Sequence, residues 1–246
     1  MPGRLVNEKT LELNITHEGM SIAGIGVFGF TQQQESRIGA DVLFPCCKPF
    51  ILQFKAAKAG VDGSWAKFQV NNNKLRNQHQ ALDAISRSGM CDAYYMFPLI
   101  VSDTFLTSSF GNLLNCTCMV DANQLTGNLK WTGQAHTVKV QKNCGFTVKS
   151  SKEVKGEGFS AIRFFDRITK ERESKPNEET NLPKFIRDLI ERLDRIVQES
   201  KVYGQSEHTL VIIGIDVSRN RLGYLQLPIR IRGIQERFRK EKVIFT

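Results

Sequence analysis

Residues 49–57, PFILQFKAA, constrain this chain more than any other stretch. Phe50, Ile51, Leu52 and Phe54 form an apolar run without helical spacing, which is the pattern of a strand buried on both faces. Side chains alternate along a strand, so Gln53 and Lys55 project to the same side as Ile51, while Leu52 and Phe54 pack on the other. A buried amide and a buried ammonium are unfavourable unless partnered. The strand therefore demands polar partners from the segments beside it, and those partners define a site.

The flanking segments supply candidates. Residues 21–44, SIAGIGVFGFTQQQESRIGADVLF, read as two strands joined by a polar, Gln-rich turn. Ile25, Val27, Phe28 and Phe30 lie before the turn, and Ala40, Val42 and Phe44 after it. Residues 5–18 suit either a strand or a short helix, and the context favours helix. Residues 71–90, NNNKLRNQHQALDAISRSGM, read as a helix with Leu75, Gln78, Leu82 and Ile85 along one side and Gly89 as its stop. The apolar run DAYYMFPLIV that follows is a buried strand. Residues 127–151 suggest one or two further strands. Residues 169–181, TKERESKPNEETN, read as a surface linker, and Asn181 as the cap of an amphipathic helix. The stripe of that helix is Leu182, Phe185, Ile186, Leu189, Leu193, Ile196 and Val197. Residues 208–234 read as a hairpin turning at Ser218–Arg221.

The 246 residues suffice to bury a core without disulfides. Six scattered cysteines give neither a disulfide framework nor a paired zinc motif. Cys116 and Cys118, with His136 and Cys144, lack the regular spacing of structural zinc sites. No segment has the apolar length of a signal peptide or a membrane span, so a cytoplasmic protein without membrane partners is expected. Lysine and arginine outnumber aspartate and glutamate by 34 to 25, a balance that favours a polyanionic partner.

Phosphodiester cleavage with a hard divalent ion needs carboxylate or carbonyl oxygens to hold the metal, with a cation near the attacking water. Asp41 on the second strand and Gln53 and Lys55 on the third supply such a set. Glu35, at the mouth of the hairpin, and Glu12, if its segment is a helix packed across the sheet, are candidates for a second carboxylate. Gln78 is placed to face the same pocket.

The motif GAD…ILQFK, with the hairpin before it and QHQALDAI…AYYMFPLI after it, resembles the PD-(D/E)XK nuclease superfamily over about residues 5–105. More narrowly, it resembles the Mrr-like, defence-associated branch whose third motif is QxK. The resemblance implies an α/β fold with a restriction-endonuclease-like core, a mixed central sheet flanked by helices, over residues 1–150. Residues 151–246 would add a C-terminal helix and β-hairpin, packed on the same sheet or separate. It implies a Mg2+- or Mn2+-dependent DNA endonuclease serving prokaryotic defence against foreign DNA. In that scheme Asp41 bridges the ion, the Phe54 backbone carbonyl or the Gln53 amide completes its shell, Lys55 orients the water, and Glu35 or Glu12 is the upstream acid. The chain departs from the pattern in lacking a proline before Asp41 and in carrying Gln53 in place of an acid.

Two basic segments add candidate nucleic-acid contacts: Lys139 and Lys142 in KVQKNCGFTVKSSKEVK, and Arg230 and Arg232 in the C-terminal tail. Gln78 joins them as a candidate. Two other classes compete: an inactive nucleic-acid-binding module that kept the fold, and a subunit whose helix at 181–199 docks a partner protein. A homodimer or a partner from a defence system fits the nuclease reading.

Overall fold

The computed structural model describes residues 5–46, 48–70, 78–127, 129, 131, 134–150, 153–173, 182–203, 208–216 and 221–229. Its first half runs α1 (Glu8–Ala23), β1 (Phe28–Gly29), α2 (Gln32–Ile38), β2 (Val42–Phe44), β3 (Phe50–Phe54), β4 (Ala57–Val61), β5 (Trp65–Val70), α3 (Gln78–Arg87), β6 (Asp92–Pro98) and α4 (Asp103–Ser108). The second half runs β7 (Thr117–Asp121), α5 (Ala122–Thr126), β8 (His136–Gln141), β9 (Gly145–Lys149), β10 (Glu153–Glu157), β11 (Phe159–Ser160), α6 (Ala161–Glu173), α7 (Leu182–Tyr203), β12 (His208–Asp216) and β13 (Arg221–Ile229). The protein is mixed α/β, and no helix among the described residues is long and apolar enough to cross a membrane.

A six-stranded sheet in the order β1-β2-β3-β6-β7-β11 carries β3 near its middle. β3 runs antiparallel to β2 and parallel to β6, as a crossover through α3 requires. Every residue of β3 is buried, because both faces of the sheet are covered. Phe50, Leu52 and Phe54 face α1 and α6, where Leu11, Ile15, Phe164 and Phe165 pack against them. Phe50 stacks on Phe44 at 4.8 Å and meets Phe164 edge-on at 4.9 Å. Ile51 faces the other way, into a core closed by α3, α7 and the inner face of a second sheet. That second sheet is antiparallel throughout, in the order β10-β9-β8-β5-β4, with Phe68, Val138, Val140, Phe146 and Val148 turned inward.

Three expectations need correction. The Gln-rich segment is a helix, α2, and not a turn: Thr31 and Gln34 form a reciprocal capping box, and Gly39 closes the helix in the left-handed region at φ 83°. The expected linker begins too early, since residues 169–173 complete α6, where Ile168 and Thr169 still pack against α1. A boundary at residue 150 falls inside the β9–β10 hairpin, and β11, α6 and α7 complete the same two cores.

The amphipathic helix is present as α7, and Leu189, Leu193 and Val197 are buried against the chain's own core, leaving Phe185 exposed. β12 and β13 pair antiparallel from His208↔Ile229 to Asp216↔Arg221, as the hairpin reading expects. The expected helix start at 71–77, the Asn181 cap, Ser218 and the tail arginines Arg230 and Arg232 lie outside the described residues.

Candidate active site

The β2–β3 register pairs Val42 with Leu52, so one step earlier Asp41 stands across from Gln53. Asp41 extends the ladder: its N–H donates to the Leu52 carbonyl at 2.9 Å, and its carbonyl accepts from Phe30 N–H at 3.0 Å. The side chain turns onto the end of β3. Asp41 Oδ2 accepts from the Phe54 backbone N–H at 2.6 Å and from Gln53 Nε2 at 2.8 Å. Gln53 Nε2 also donates to the Phe54 carbonyl at 3.0 Å, and Gln53 Oε1 accepts from Gln78 Nε2 at 2.7 Å. Gly39 makes this approach possible. Besides its positive φ, a Cβ there would lie 2.9 Å from the Gln78 carbonyl oxygen, so the Asp41 loop sits directly on the start of α3.

The charged groups arrive from α1. Asn7 caps this helix by accepting from Thr10 N–H, which sets Glu8, Lys9 and Glu12 over the end of β3. Glu8 Oε2 accepts from Ala56 N–H at 3.2 Å, and Glu8 Oε1 pairs with Lys55 Nζ at 3.7 Å. Lys55 is buried and its N–H donates to the Met96 carbonyl, which holds the residue at the end of the β3–β6 pair. Lys9, with its side chain 69% exposed, reaches Glu12 at 2.7 Å and Glu35 on α2 at 3.5 Å.

Burial dominates the electrostatics. It pushes the Asp41 carboxyl up to about 7, an effect that the Lys55 ammonium and the Phe54 N–H only partly offset and that Glu12 and Glu8 reinforce. Burial likewise raises Glu12, against the hydrogen bond from Lys9. A carboxyl held this way is poised to accept a cation, because a positive charge would remove the cost of ionising it in a dry setting.

The structure thus brings together Asp41, Gln53, Lys55, Phe54, Glu12, Glu35 and Gln78 at one corner. Lys139 lies on β8 of the second sheet and Lys142 in the turn that follows it, and no described contact joins them to that corner. Gln78 contacts Gln53 directly. Glu8 and Lys9 complete the corner and are absent from the sequence reading; their signal is the acid-cap pattern of Asn7, Glu8 and Thr10, with Lys9 and Glu12 three apart on one helix face.

Among the described residues, no group of three histidine, cysteine, aspartate or glutamate side chains converges as a metal site. The oxygen atoms that do converge are the Asp41 carboxylate and the Phe54 carbonyl, hard donors with one formal charge that both accept from Gln53 Nε2, while Gln53 Oε1 is turned to Gln78. Mg2+ is commonly held by one or two carboxylates and otherwise by water and substrate phosphate, and this donor set fits that habit. The N–H groups of Gln53 occupy the cation's place against Asp41 and Phe54, and the Lys9 ammonium does so against Glu12 and Glu35. A separate cavity of about 310 Å3, lined by Asp62, Phe105, Cys116, Cys118, Lys142 and Cys144, contains none of the corner residues.

No family model matches the chain, and neither a curated protein nor a solved structure matches it.

Proposed function

We propose that the protein is a metal-dependent DNA endonuclease with a restriction-endonuclease-like core. One observation carries the reading: a buried Asp41 carboxylate lies across the β2–β3 ladder from Gln53, with the buried Lys55 two residues further on. The chain order supports it as well, since α1, the antiparallel trio β1-β2-β3, α3 and then β6 parallel to β3 occur in the order that the resemblance implies, with α2 inserted between β1 and β2 and the β4–β5 hairpin between β3 and α3.

In this reading Asp41, the Phe54 carbonyl and Gln53 would hold a Mg2+ or Mn2+ ion, with Glu12 or Glu35 available once Lys9 withdraws. The ion would polarise a phosphoryl oxygen and lower the pKa of a bound water. The chain's own contribution is positional. Lys55, fixed by Glu8 and by the Met96 carbonyl, presents an ammonium where negative charge builds on the phosphate and where a water needs orienting. Burial around Asp41 strengthens each of these interactions. Defence against foreign DNA, and action as a homodimer or with a partner protein, belong to the same proposal.

A second reading has an observation of its own. Lys9 neutralises Glu12 and Glu35, and no three-acid group forms among the described residues, which suits a nucleic-acid-binding module without catalysis. Incubating plasmid and linear DNA with the wild type, Asp41→Ala and Lys55→Ala, each with Mg2+ or Mn2+, separates the two. Cleavage abolished by both substitutions supports the nuclease. Salt-dependent binding without cleavage under either metal favours the binding module.

A further inference from the structure

Gln53 is 1% exposed, and every polar atom of its side chain is engaged. Asp41 Oδ2 and the Phe54 carbonyl, which take its two amide hydrogens, are acceptors toward Gln53. These partners give the amide one workable direction: nitrogen toward Asp41, oxygen toward Gln78. The reverse would press the buried Oε1 against two other oxygens. Yet the observed direction is the wrong one for a cation. It offers N–H groups to the oxygens an ion would bind, and turns the amide's own oxygen away.

We propose that Gln78 sets the direction of the Gln53 amide, and that the two amides reverse together when a divalent cation enters. Gln53 Oε1 then turns inward beside Asp41 and the Phe54 carbonyl, and Gln53 Nε2 turns outward to donate to Gln78 Oε1. This rests on the metal-site reading above. The hydrogen bond between the two glutamines survives the exchange with donor and acceptor swapped, and the cation takes over the Asp41 and Phe54 oxygens that Gln53 Nε2 releases, at the cost of one of the two acceptors that nitrogen has now. Glutamine suits both positions, since a rotation of about 180° at the end of its side chain exchanges donor and acceptor in nearly the same place. Gln78 is half-buried at the start of α3, where the close approach of Gly39 holds it against the site. Gln78 is a positioning residue: it acts on the ion only through Gln53.

The test is calorimetric titration of the full chain with Mn2+, without DNA, for the wild type, Gln78→Glu and Gln78→Lys, each repeated on a Gln53→Glu background. A carboxylate at position 78 only accepts, which turns the Gln53 oxygen toward the ion, and an ammonium only donates, which turns it away. Both substitutions also change the local charge, and that effect acts on either background. A carboxylate at position 53 has two equivalent oxygens and no direction to set. The expected result is that the ratio of Mn2+ dissociation constants between Gln78→Lys and Gln78→Glu is about tenfold larger with Gln53 than with Gln53→Glu. Equal ratios on the two backgrounds overturn the inference and leave the metal site standing. No Mn2+ binding by the wild type or by Gln53→Glu overturns the metal site and the inference with it. The wild type alone gives a second check: on adding Mg2+, the side-chain amide resonances of Gln53 and Gln78 should shift together in nitrogen–proton spectra, and movement of Gln53 without Gln78 overturns the coupling.

Discussion

The buried polar networks around His79 and around Asp41 are built to opposite ends. Around His79 on α3 the circuit is closed. The Thr126 hydroxyl donates to Asp83 Oδ1 at 2.7 Å, so it accepts from His79 Nε2–H at 3.2 Å, which leaves Nδ1 to accept from the Tyr95 hydroxyl at 3.1 Å. Trp131 covers the imidazole, with ring centroids 3.6 Å apart, and burial lowers its pKa to about 3. This neutral, fully partnered ring has nothing left to offer a ligand. Around Asp41 the circuit is open: a carboxylate is linked to two amides, the buried Lys55 ammonium pairs with the half-exposed Glu8, and beside them the exposed Lys9 holds Glu12 and Glu35. Burial of polar groups alone therefore does not mark a site. Charge left for a newcomer, together with a route to solvent, does.

The largest expected effect breaks the comparison at the level of activity. Asp41→Ala and Lys55→Ala should each lower DNA cleavage by at least about a thousandfold. His79→Phe should leave the rate per folded molecule unchanged. A cleavage loss from His79→Phe comparable to that from Lys55→Ala would end the distinction between the two networks.

The pH dependence of stability sharpens it, because the two networks have opposite signs. The folded-state pKa of Asp41 is raised, from 3.8 to about 7, so its contribution is full at low pH and is lost as pH rises through 7. The folded-state pKa of His79 is lowered, from 6.5 to about 3, so its contribution is full above 6.5 and is lost as pH falls toward 3. Each span corresponds to on the order of 4 kcal/mol at full extent. In chelator, thermal unfolding of Asp41→Asn should show less loss of stability between pH 5 and 8 than the wild type. His79→Phe should show less loss between pH 6 and 4. Parallel pH profiles for wild type and Asp41→Asn would remove the open corner from the account. At pH 7.5, His79→Phe should also be destabilised by about 1–3 kcal/mol, since the buried Tyr95 hydroxyl loses its acceptor.

The sequence made one side of this comparison far more legible than the other. Strand alternation places Gln53 and Lys55 without any structure, and a buried strand announces that its polar residues have partners. The helix carrying Gln78 and the apolar strand after it show in their spacing. Closing the corner required contacts distant in the chain: Glu8 with Ala56, and Lys9 with Glu35. Helix α2 escaped because it is two turns long and nearly all polar, so periodicity is silent and only the Thr31–Gln34 box and Gly39 mark it. The second sheet was half seen. β8 and β9 alternate clearly, whereas β4 has only alanine, glycine and one valine beside its lysine. The His79 network stayed hidden because it joins α3, β6, α5 and a loop, and a lone histidine on a polar helix looks exposed.

The smallest predicted effect concerns the surface next to the open corner. Lys55 leads directly into β4, and Ala59 on β4 pairs with Lys67, which pairs in turn with Lys139 on β8. Like charges directly opposite on neighbouring strands are unfavourable. Here both ammonium groups lie over the Trp65 ring, at 5.9 and 5.0 Å from its centroid, and its negative face relieves part of the repulsion. A phosphate backbone laid on this face would relieve the rest by the same attraction. Lys67→Ala and Lys139→Ala should each reduce the slope of log affinity for duplex DNA against log salt by about one unit, uniformly across sequences. Asp41→Asn should leave that slope nearly unchanged, because its carboxylate makes no phosphate contact. If the slope is unmoved by either lysine, this face is the solvated side of an antiparallel sheet, and the open network ends at the corner itself.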